Sequence, residues 1–277
     1  MATAFDITAA AGAGPASEPP RSGVVPLPSF SLLGKKCFVT GGSRGIGRAC
    51  ALTLAAAGAD VAIGASPSGA EVADDVCREI DDLGRRARAY CFDVSVPRDV
   101  EAMCARINEE LDGIDVLVNN AGITRDRSFR KMDRGAWDDV INTNLSSAFE
   151  VTRRFIDPMA ARGWGRVINV SSIVGRIGNF GQSNYAAAKA GLIGLTKSLA
   201  REYASKGVTV NAIAPGFVRT RMLEGVPDKV MDAVLALTPV GRLGEPMEIA
   251  ASVLYLASPA AGFVTGHVLD VNGGMAM

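Results

Sequence analysis

The chain is poor in the residues that most catalytic schemes rely on. Of 277 residues only one is histidine, His267, so chemistry that needs several imidazoles is excluded. Its strand-like surroundings give it a structural role. Cys37, Cys50, Cys77, Cys91 and Cys104 form no C-x-x-C pair and have no histidine partner at metal spacing, which argues against a metal centre. An odd set of five reads as buried, reduced thiols in a reducing compartment. There is no run of 18 apolar residues, hence no expected membrane span. There is no charge excess either: 29 Lys and Arg balance 29 Asp and Glu, so no nucleic-acid polyanion is expected as the main partner. No basic segment followed by an apolar one marks a secretory signal.

Residues 1–33 differ from the rest. They hold Ala, Gly, Ser and Pro clusters, including Ala9 to Pro15 and then Pro19, Pro20, Pro26 and Pro28. This composition predicts a disordered tail, followed by one domain over residues 34–277. An organelle transit peptide is the alternative, opposed by Asp6, Glu18 and the single Arg21. The expected location is therefore cytoplasmic, with a plastid or mitochondrion as the alternative.

Beyond the tail, short apolar runs alternate with helix-like stretches. Strands are predicted at 36–40, 60–64, 87–92, 116–118, 166–170, 208–213 and 268–271. Helices are predicted around 44–57, 70–83, 100–111, 134–162, 184–205 and 245–256. Short, nearly all-apolar strands between helices imply a parallel sheet covered on both faces. The fold class is α/β: a single doubly wound, Rossmann-like domain with a seven-stranded parallel sheet. An apolar content of 48% is ample for its core. Ligands should sit at the carboxyl ends of the strands.

Two motifs stand out at those ends. The first strand runs into Gly41-Gly42-Ser43-Arg44-Gly45-Ile46-Gly47 and then into a helix. Gly41 permits a tight turn, Gly45 lets backbone approach a ligand, and Gly47 lets helix pack on strand. The helix start then offers unpaired N–H groups to a pyrophosphate. The spacing is G-x-x-x-G-x-G rather than the G-x-G-x-x-G of the common dinucleotide turn. Further on, Tyr185 and Lys189 stand one helical turn apart, and Ser172 lies thirteen residues before the tyrosine. A free phenol titrates near ~10, and a cation beside it favours phenolate. Such a pair alone is more often a half-buried helix face with a snorkelling lysine.

The set Thr40-Gly41-x-x-x-Gly45-Ile46-Gly47, Asn119-Asn120-Ala121-Gly122, Asn144, Ser172, Tyr185-x-x-x-Lys189 and Pro215-Gly216 resembles the short-chain dehydrogenase/reductase family over residues 34–277. Within it, 120–126 and 178–191 are similar to 3-oxoacyl-thioester reductases, and 162–169 resembles acetoacetyl-CoA reductases. The resemblance implies that Ser172 polarises a substrate carbonyl and Tyr185 donates a proton. It implies that Lys189 holds the nicotinamide ribose and lowers the tyrosine pKa, and that Asn144 supports a connecting water. It assigns the turn residues Gly41, Ser43, Arg44, Gly45, Ile46 and Gly47 to the cofactor. Asp93 and Val94 would border the adenine, and Asn120 and Gly122 the ribose. Val218 and Thr220, after Pro215 and Gly216, would meet the nicotinamide amide. It also implies a homotetramer, with helices 134–162 and 184–205 in one interface.

Charge selects the cofactor. An NAD site places an acid at the end of the second strand, which here ends Ile63-Gly64-Ala65-Ser66. Arg44 and the Ser66 hydroxyl suit a 2′-phosphate instead, so NADP(H) is expected. Carrier recognition would need cations: Arg125, Arg127, Arg130 and Lys131 follow the fourth strand, and Arg162, Arg166 and Lys206 lie near helix ends. The resemblance implies carrier contacts near Arg162 and Lys206, the first of them shifted with Gly163-Trp164 following it. The expected function is NADPH-dependent reduction of a 3-oxoacyl thioester of acyl carrier protein or CoA. The alternatives are a reductase or dehydrogenase of a free ketone or alcohol and a non-catalytic nucleotide-binding scaffold. Trp164 is expected to pack, with an adenine platform as the other reading.

Overall fold

Lys36–Thr40 (β1) is buried from Cys37 to Thr40 and lies in the interior of the sheet in a computed structural model that describes residues 29–224 and 227–277. The other strands are β2 (Asp60–Ala65), β3 (Ala87–Cys91), β4 (Val116–Asn119), β5 (Gly165–Val170), β6 (Val208–Pro215) and β7 (Val268–Val271). They form one sheet in the order β3-β2-β1-β4-β5-β6-β7, and every pairing is parallel. The chain winds outward from β1 in one direction and then from β4 in the other. The crevice between the carboxyl ends of β1 and β4 is therefore the switch point where doubly wound sheets bind ligands.

Alternate residues of each strand feed two cores, because successive side chains point to opposite faces. Cys37, Val39, Val61 and Ile63 pack with α1 (Gly45–Ala56), α2 (Ala70–Asp82) and α9 (Pro246–Ala257). Phe38, Leu117 and Val167 pack on the opposite face with α3 (Pro97–Leu111), α5 (Ser147–Ala161) and α7 (Ser183–Tyr203). Across that second core the Phe38 and Phe155 rings meet edge to face with centroids 5.9 Å apart.

Several expectations change. The predicted helix 134–162 is divided into α4 (Arg134–Ile141) and α5, joined by the π-helical turn Asn142–Ser146. The wide turn carries Asn144, whose amide is bonded to another loop. The segment between Pro215 and Pro239, predicted without an element, contains α8 (Asp228–Ala236), too short for its period to stand out. A four-residue helix, α6 (Val174–Ile177), follows Ser172. The expected burial of all five thiols fails at Cys91, which is exposed on the edge strand β3. His267 lies just before β7, where its backbone N–H donates to Asn211 Oδ1 at 3.1 Å.

The tail boundary also moves. Residues 1–28 lie outside the described residues. Residues 29–33 were included in the predicted tail by composition, yet they contact the domain. Leu32 is fully buried and its N–H donates to Ala57 O at 2.8 Å. Ser29 O accepts from Ala260 N at 3.3 Å. One apolar residue at the right place is enough to dock a segment that has no periodic pattern. Leu32→Ala should cost about 2–5 kcal/mol of stability in denaturant melts, whereas Leu33→Ala, at a 74% exposed position, should cost little.

Candidate active site

Gly41 and Gly45 have positive φ, +63° and +53°, and fold the chain between β1 and α1 into a tight turn. Gly47 does what its place predicts: an added Cβ would lie 2.1 Å from Gly41 O. Asn120, at the end of β4, locks this turn from the side. Its Nδ2 donates to Thr40 O and Gly41 O at 3.0 and 3.1 Å. Thr40 Oγ1 accepts from the backbone N–H of Asn120 and of Ala121, both at 3.0 Å. The Asn120 amide group thus holds strand ends together. Arg44 is the exposed N-cap of α1 and makes no ion pair among the described residues. Ile46 is half-buried behind it and packs on the first core. The first turn of α1 holds no acid, so its free N–H groups face outward unneutralised.

Beside this turn, hydroxyls gather at the end of β2. Ser66 Oγ lies 3.2 Å from Ser68 Oγ, and a Cβ on Gly69 would lie 3.4 Å from both Ser43 Oγ and Ser66 Oγ. Ser68 and Gly69 are additions to the sequence-based set. The run Ser66-Pro67-Ser68-Gly69 ahead of α2 was their only signal. Asp93, beyond β3, accepts from Ser95 N and Ser95 Oγ at 2.9 and 2.7 Å, while Val94 packs on the second core.

Ser172, just beyond the end of β5, meets Tyr185 and Lys189 of α7 at the same edge. Ser172 Oγ accepts from Val174 N at 3.1 Å, and the hydroxyl also meets the Tyr185 phenol. Lys189 is buried, 3% exposed, and its Nζ donates to Val170 O at 2.8 Å. The ammonium lies 5.6 Å from the centroid of the Tyr185 ring. Burial pulls the Lys189 pKa down to about 8. Tyr185 is pushed up to about 12, chiefly by burial, with the Ser172 hydroxyl opposing the rise and Asp126 adding to it. The expected lowering of the tyrosine pKa by Lys189 is thus reversed in this site. Desolvation outweighs a lysine whose bond is directed to Val170 O and not to the phenol.

Asn144 is 1% exposed. Its Oδ1 accepts from Ile123 N at 2.8 Å and its Nδ2 donates to Ile123 O at 2.9 Å. The Asn144 side chain thus clamps the loop after β4. Gly122 lies between: a Cβ there would sit 3.3 Å from Asn144 Oδ1 and 3.6 Å from Lys189 Nζ. Ser171, the neighbour passed over in the sequence, donates to Lys189 O at 2.7 Å and ties β5 to α7. Asn184, within the 178–191 stretch, carried no assigned role. It is fully buried, and its amide donates to Arg125 O and Ala136 O at 3.1 and 2.9 Å.

The end of β6 completes the edge. Pro215 O accepts from Ile173 N at 2.8 Å, and a Cβ on Gly216 would lie 2.8 Å from Asn272 Cα. Val218 bridges to Gly244, and Thr220 Cγ2 lies 3.2 Å from where a Cβ on Gly45 would be. The loop after β6 therefore folds over the glycine turn. The structure brings every residue named for the site to the carboxyl edge of the sheet. Arg162, Arg166 and Lys206 lie at the other end: Arg162 bonds Ile114 O, Arg166 is buried against the Trp164 ring at 4.5 Å, and Lys206 covers the Tyr203 ring at 4.5 Å. Trp164 also takes Lys35 at 3.8 Å, so its ring is a packing element as expected.

Among the described residues there is no cluster of three or more metal-ligating side chains, and no helix is long and apolar enough to cross a membrane. The family profile described as enoyl-(acyl carrier protein) reductase matches residues 41–276. The chain is 49% identical over 249 residues to the 3-oxoacyl-[acyl-carrier-protein] reductase FabG of Vibrio cholerae, covering 90% of this chain and 100% of the relative. It is 48% identical to FabG of Escherichia coli, covering 88% and 98%. It is also 48% identical to nodulation protein G of Azospirillum brasilense, covering 87% and 98%. A solved structure described as a candidate gluconate dehydrogenase from Agrobacterium tumefaciens superposes with a TM-score of 0.85 at 36% identity, covering 90% of this chain and 98% of that one. A profile match along nearly the whole domain, relatives this similar and the arrangement of Ser172, Tyr185 and Lys189 lead to one conclusion: the chain belongs to the short-chain dehydrogenase/reductase family.

Proposed function

We propose that this protein reduces a 3-oxoacyl thioester to the 3-hydroxyacyl thioester with NADPH. The observation that carries the reading is the meeting of the Tyr185 phenol and the Ser172 hydroxyl beside the buried Lys189, at a sheet edge whose ribose end holds hydroxyls and an arginine but no acid. The relatives named as 3-oxoacyl-[acyl-carrier-protein] reductases at 48–49% identity support the same substrate class. Reduction of a free ketone is the second reading. It is favoured by the structural neighbours described as sugar-acid and alcohol dehydrogenases at 36% identity. A scaffold role fits less well, because all three polar groups are present and aligned.

Bound NADPH would supply the hydride, and the rest of the chemistry belongs to the chain. Ser172 O–H donates to the substrate carbonyl oxygen and fixes its position. Tyr185 keeps its proton at neutral pH, because burial holds the phenol near 12, and gives it to the oxygen as the carbonyl carbon is reduced. The phenolate left behind is stabilised by the Lys189 ammonium. Gly122, without a side chain, leaves room beside Lys189 for a ribose. Asn144 acts as a positioning residue through Ile123. Arg44, Ser43, Ser66 and Ser68 would hold the 2′-phosphate, and Asp93 with Val94 would border the adenine. The glycine turn and the start of α1 would face the pyrophosphate, with Val218 and Thr220 at the nicotinamide end.

Tyr185→Phe should lower kcat by about 10²–10⁴ and leave the NADPH Kd within a few-fold, since only the proton donor is removed. Lys189 is charged below its pKa of about 8 and neutral above it. NADPH affinity should therefore be flat at lower pH and weaken as pH rises through about 8, and this dependence should vanish in Lys189→Ala. Titration of cofactor fluorescence from pH 6 to pH 10 at fixed ionic strength would check both.

NADPH should be preferred to NADH. A swap is best tested at Ser66, which is exposed; Ala65 is 4% exposed, and a carboxylate there would be buried at the cost of the fold. Ser66→Asp should move kcat/KM toward NADH by repelling the phosphate. Equal values for the two coenzymes in the unmodified protein would remove the argument. The substrate class is tested by comparing acetoacetyl-CoA, a 3-oxoacyl carrier protein and a set of free ketones.

The assembly that goes with this reading is a homotetramer, with the outer faces of α5 and α7 in one interface and the C-terminal strand region in another. Phe149 is 47% exposed beside Ile156, Leu195, Leu199 and Tyr203, around a groove of about 170 Å³. Self-complementary packing of that face would hold Tyr185 and Lys189 on a rigid element. Sedimentation should give roughly four times 28.8 kDa, and a single 28.8 kDa species would overturn the assembly. The five cysteines are all free thiols, which fits a reducing cytoplasm.

A further inference from the structure

Ser172 stands between the end of β5 and the single helical turn α6. Its Oγ accepts from Val174 N, the first residue of that turn, at 3.1 Å, and its carbonyl accepts from Gly175 N at 3.0 Å. Where α6 sits therefore decides where the Ser172 hydroxyl points. A helix of four residues is not stable by itself, because closing one turn fixes several dihedrals for few hydrogen bonds. It has to be held from outside. At its start Ile173 N donates to Pro215 O at 2.8 Å. At its middle Gly175 lies against α7, where a Cβ would come within 2.7 Å of Lys189 C. Beyond its end Gly178 turns the chain away at a φ of +75°. The far end of the turn has one polar side-chain anchor among the described residues. Arg176 Nη1 donates to Asp270 Oδ2 at 2.8 Å, reaching from beyond β5 past β6 to β7 and to a residue 94 positions along the chain.

Asp270 is itself fixed. Its backbone lies in the ladder between β6 and β7, where it pairs with Ala214, the residue before Pro215. Its second oxygen, Oδ1, accepts from Asn272 Nδ2 at 3.3 Å. Asn272 is buried, and its own Oδ1 accepts from Gly274 N at 3.0 Å. Polar contacts thus run from the end of α6 through Arg176, Asp270 and Asn272 into the C-terminal segment. The carboxylate borders a cavity of about 360 Å³, and the two side chains of the pair are 36% and 27% exposed. An ion pair so open to water adds little to stability. Its larger contribution is geometric: a charge-assisted bond ties a turn that cannot hold itself to a carboxylate fixed in the sheet.

We infer that Arg176 is a positioning residue for the reaction: anchored by Asp270, it holds α6 in place and through Val174 aims the Ser172 hydroxyl at the substrate carbonyl oxygen. This rests on the reading that Ser172 bonds that oxygen. It goes further by making the carboxyl end of β7 part of the catalytic arrangement, acting through Ser172 and not on the substrate itself. Rate is sensitive to such placement, since a shift of about 1 Å in a reacting group costs up to roughly 100-fold.

The test uses the full chain and the variants Arg176→Met and Asp270→Asn, with the exchanged pair Arg176→Asp/Asp270→Arg as a rescue. Ser172→Ala and Ser172→Ala/Arg176→Met complete a double-mutant cycle. Turnover is followed as NADPH oxidation with whichever of acetoacetyl-CoA and the free ketones the unmodified protein reduces. NADPH Kd is measured by cofactor fluorescence without turnover, and melting temperature by circular dichroism. Each single variant should lower kcat by about tenfold and leave NADPH Kd and melting temperature nearly unchanged, because Ser172 is assigned to the substrate and the pair is solvated. The exchanged pair should recover most of the lost kcat. Within Ser172→Ala, Arg176→Met should have no further effect, because the hydroxyl that it aims is gone. Unchanged kcat in both single variants would overturn the inference. So would a further tenfold loss in the Ser172→Ala background, which would mean that Arg176 acts elsewhere. A fall in melting temperature and NADPH affinity in step with kcat, without rescue by the exchanged pair, would make the contact merely structural and overturn it as well. Full kcat in Ser172→Ala would overturn the reading of Ser172 beneath the inference, a result told apart from the others because it needs no Arg176 variant.

Discussion

Lys189 carries an ammonium group at 3% exposure, and much of the carboxyl edge of the sheet is arranged around it. A charge so placed loses its water, which is why its pKa falls to about 8. Its direct compensation is one carbonyl, Val170 O, at the end of β5. Ser171, the next residue, bonds the lysine's own backbone carbonyl and fixes α7 against the strand. Gly175 lets the short helix α6 close over α7, since a Cβ there would lie 2.7 Å from Lys189 C. Gly122 keeps a gap beside the Nζ, and Asn144 holds the loop that contains Gly122. The catalytic edge is rigid because a costly buried charge is enclosed by backbone that cannot easily move.

The same logic explains why Tyr185 reads as a proton donor rather than a resting phenolate. The loss of water around the phenol is the largest effect on it, so the neutral form is favoured, with the lysine 5.6 Å from the ring centroid. Proton transfer then has to be driven by the charge that develops on the substrate oxygen. In the proposed reaction the lysine would matter most after the proton has left, when a phenolate would otherwise stand unpaired in a buried site. The wide turn at Asn142–Ser146 belongs to this economy: it spends regular helix geometry to aim one amide at Ile123.

Electrostatics divide the molecule into two ends. At the amino ends of the strands, cations are absorbed by aromatic rings and carbonyls, as with Lys35 and Arg166 on Trp164. At the carboxyl ends, Arg44 and the 127–131 loop leave cations unpaired. Net neutrality conceals this separation, and it suits a site whose cofactor would be anionic.

The amino-acid sequence by itself determined the periodic features. Short, mostly apolar strands of three to six residues spaced by helices led to the doubly wound sheet, and the glycines at 41, 45 and 47 marked the turn between β1 and α1. The Tyr185–Lys189 spacing placed both side chains on one helix face, because i and i+4 share a face whatever surrounds them. Other features required the tertiary structure, because they depend on neighbours far apart in the chain. Leu32 is buried only because Ala57 and the first core lie beside it. Asn144 bends its helix only because Ile123 is within reach, and Ser171 and Asn184 matter for partners 18 and 48 or more residues away. The direction of the Tyr185 pKa was decided in the same way. Spacing shows that a cation is near, but only the packed structure sets how much water is lost, and in this site the loss of water is the larger effect.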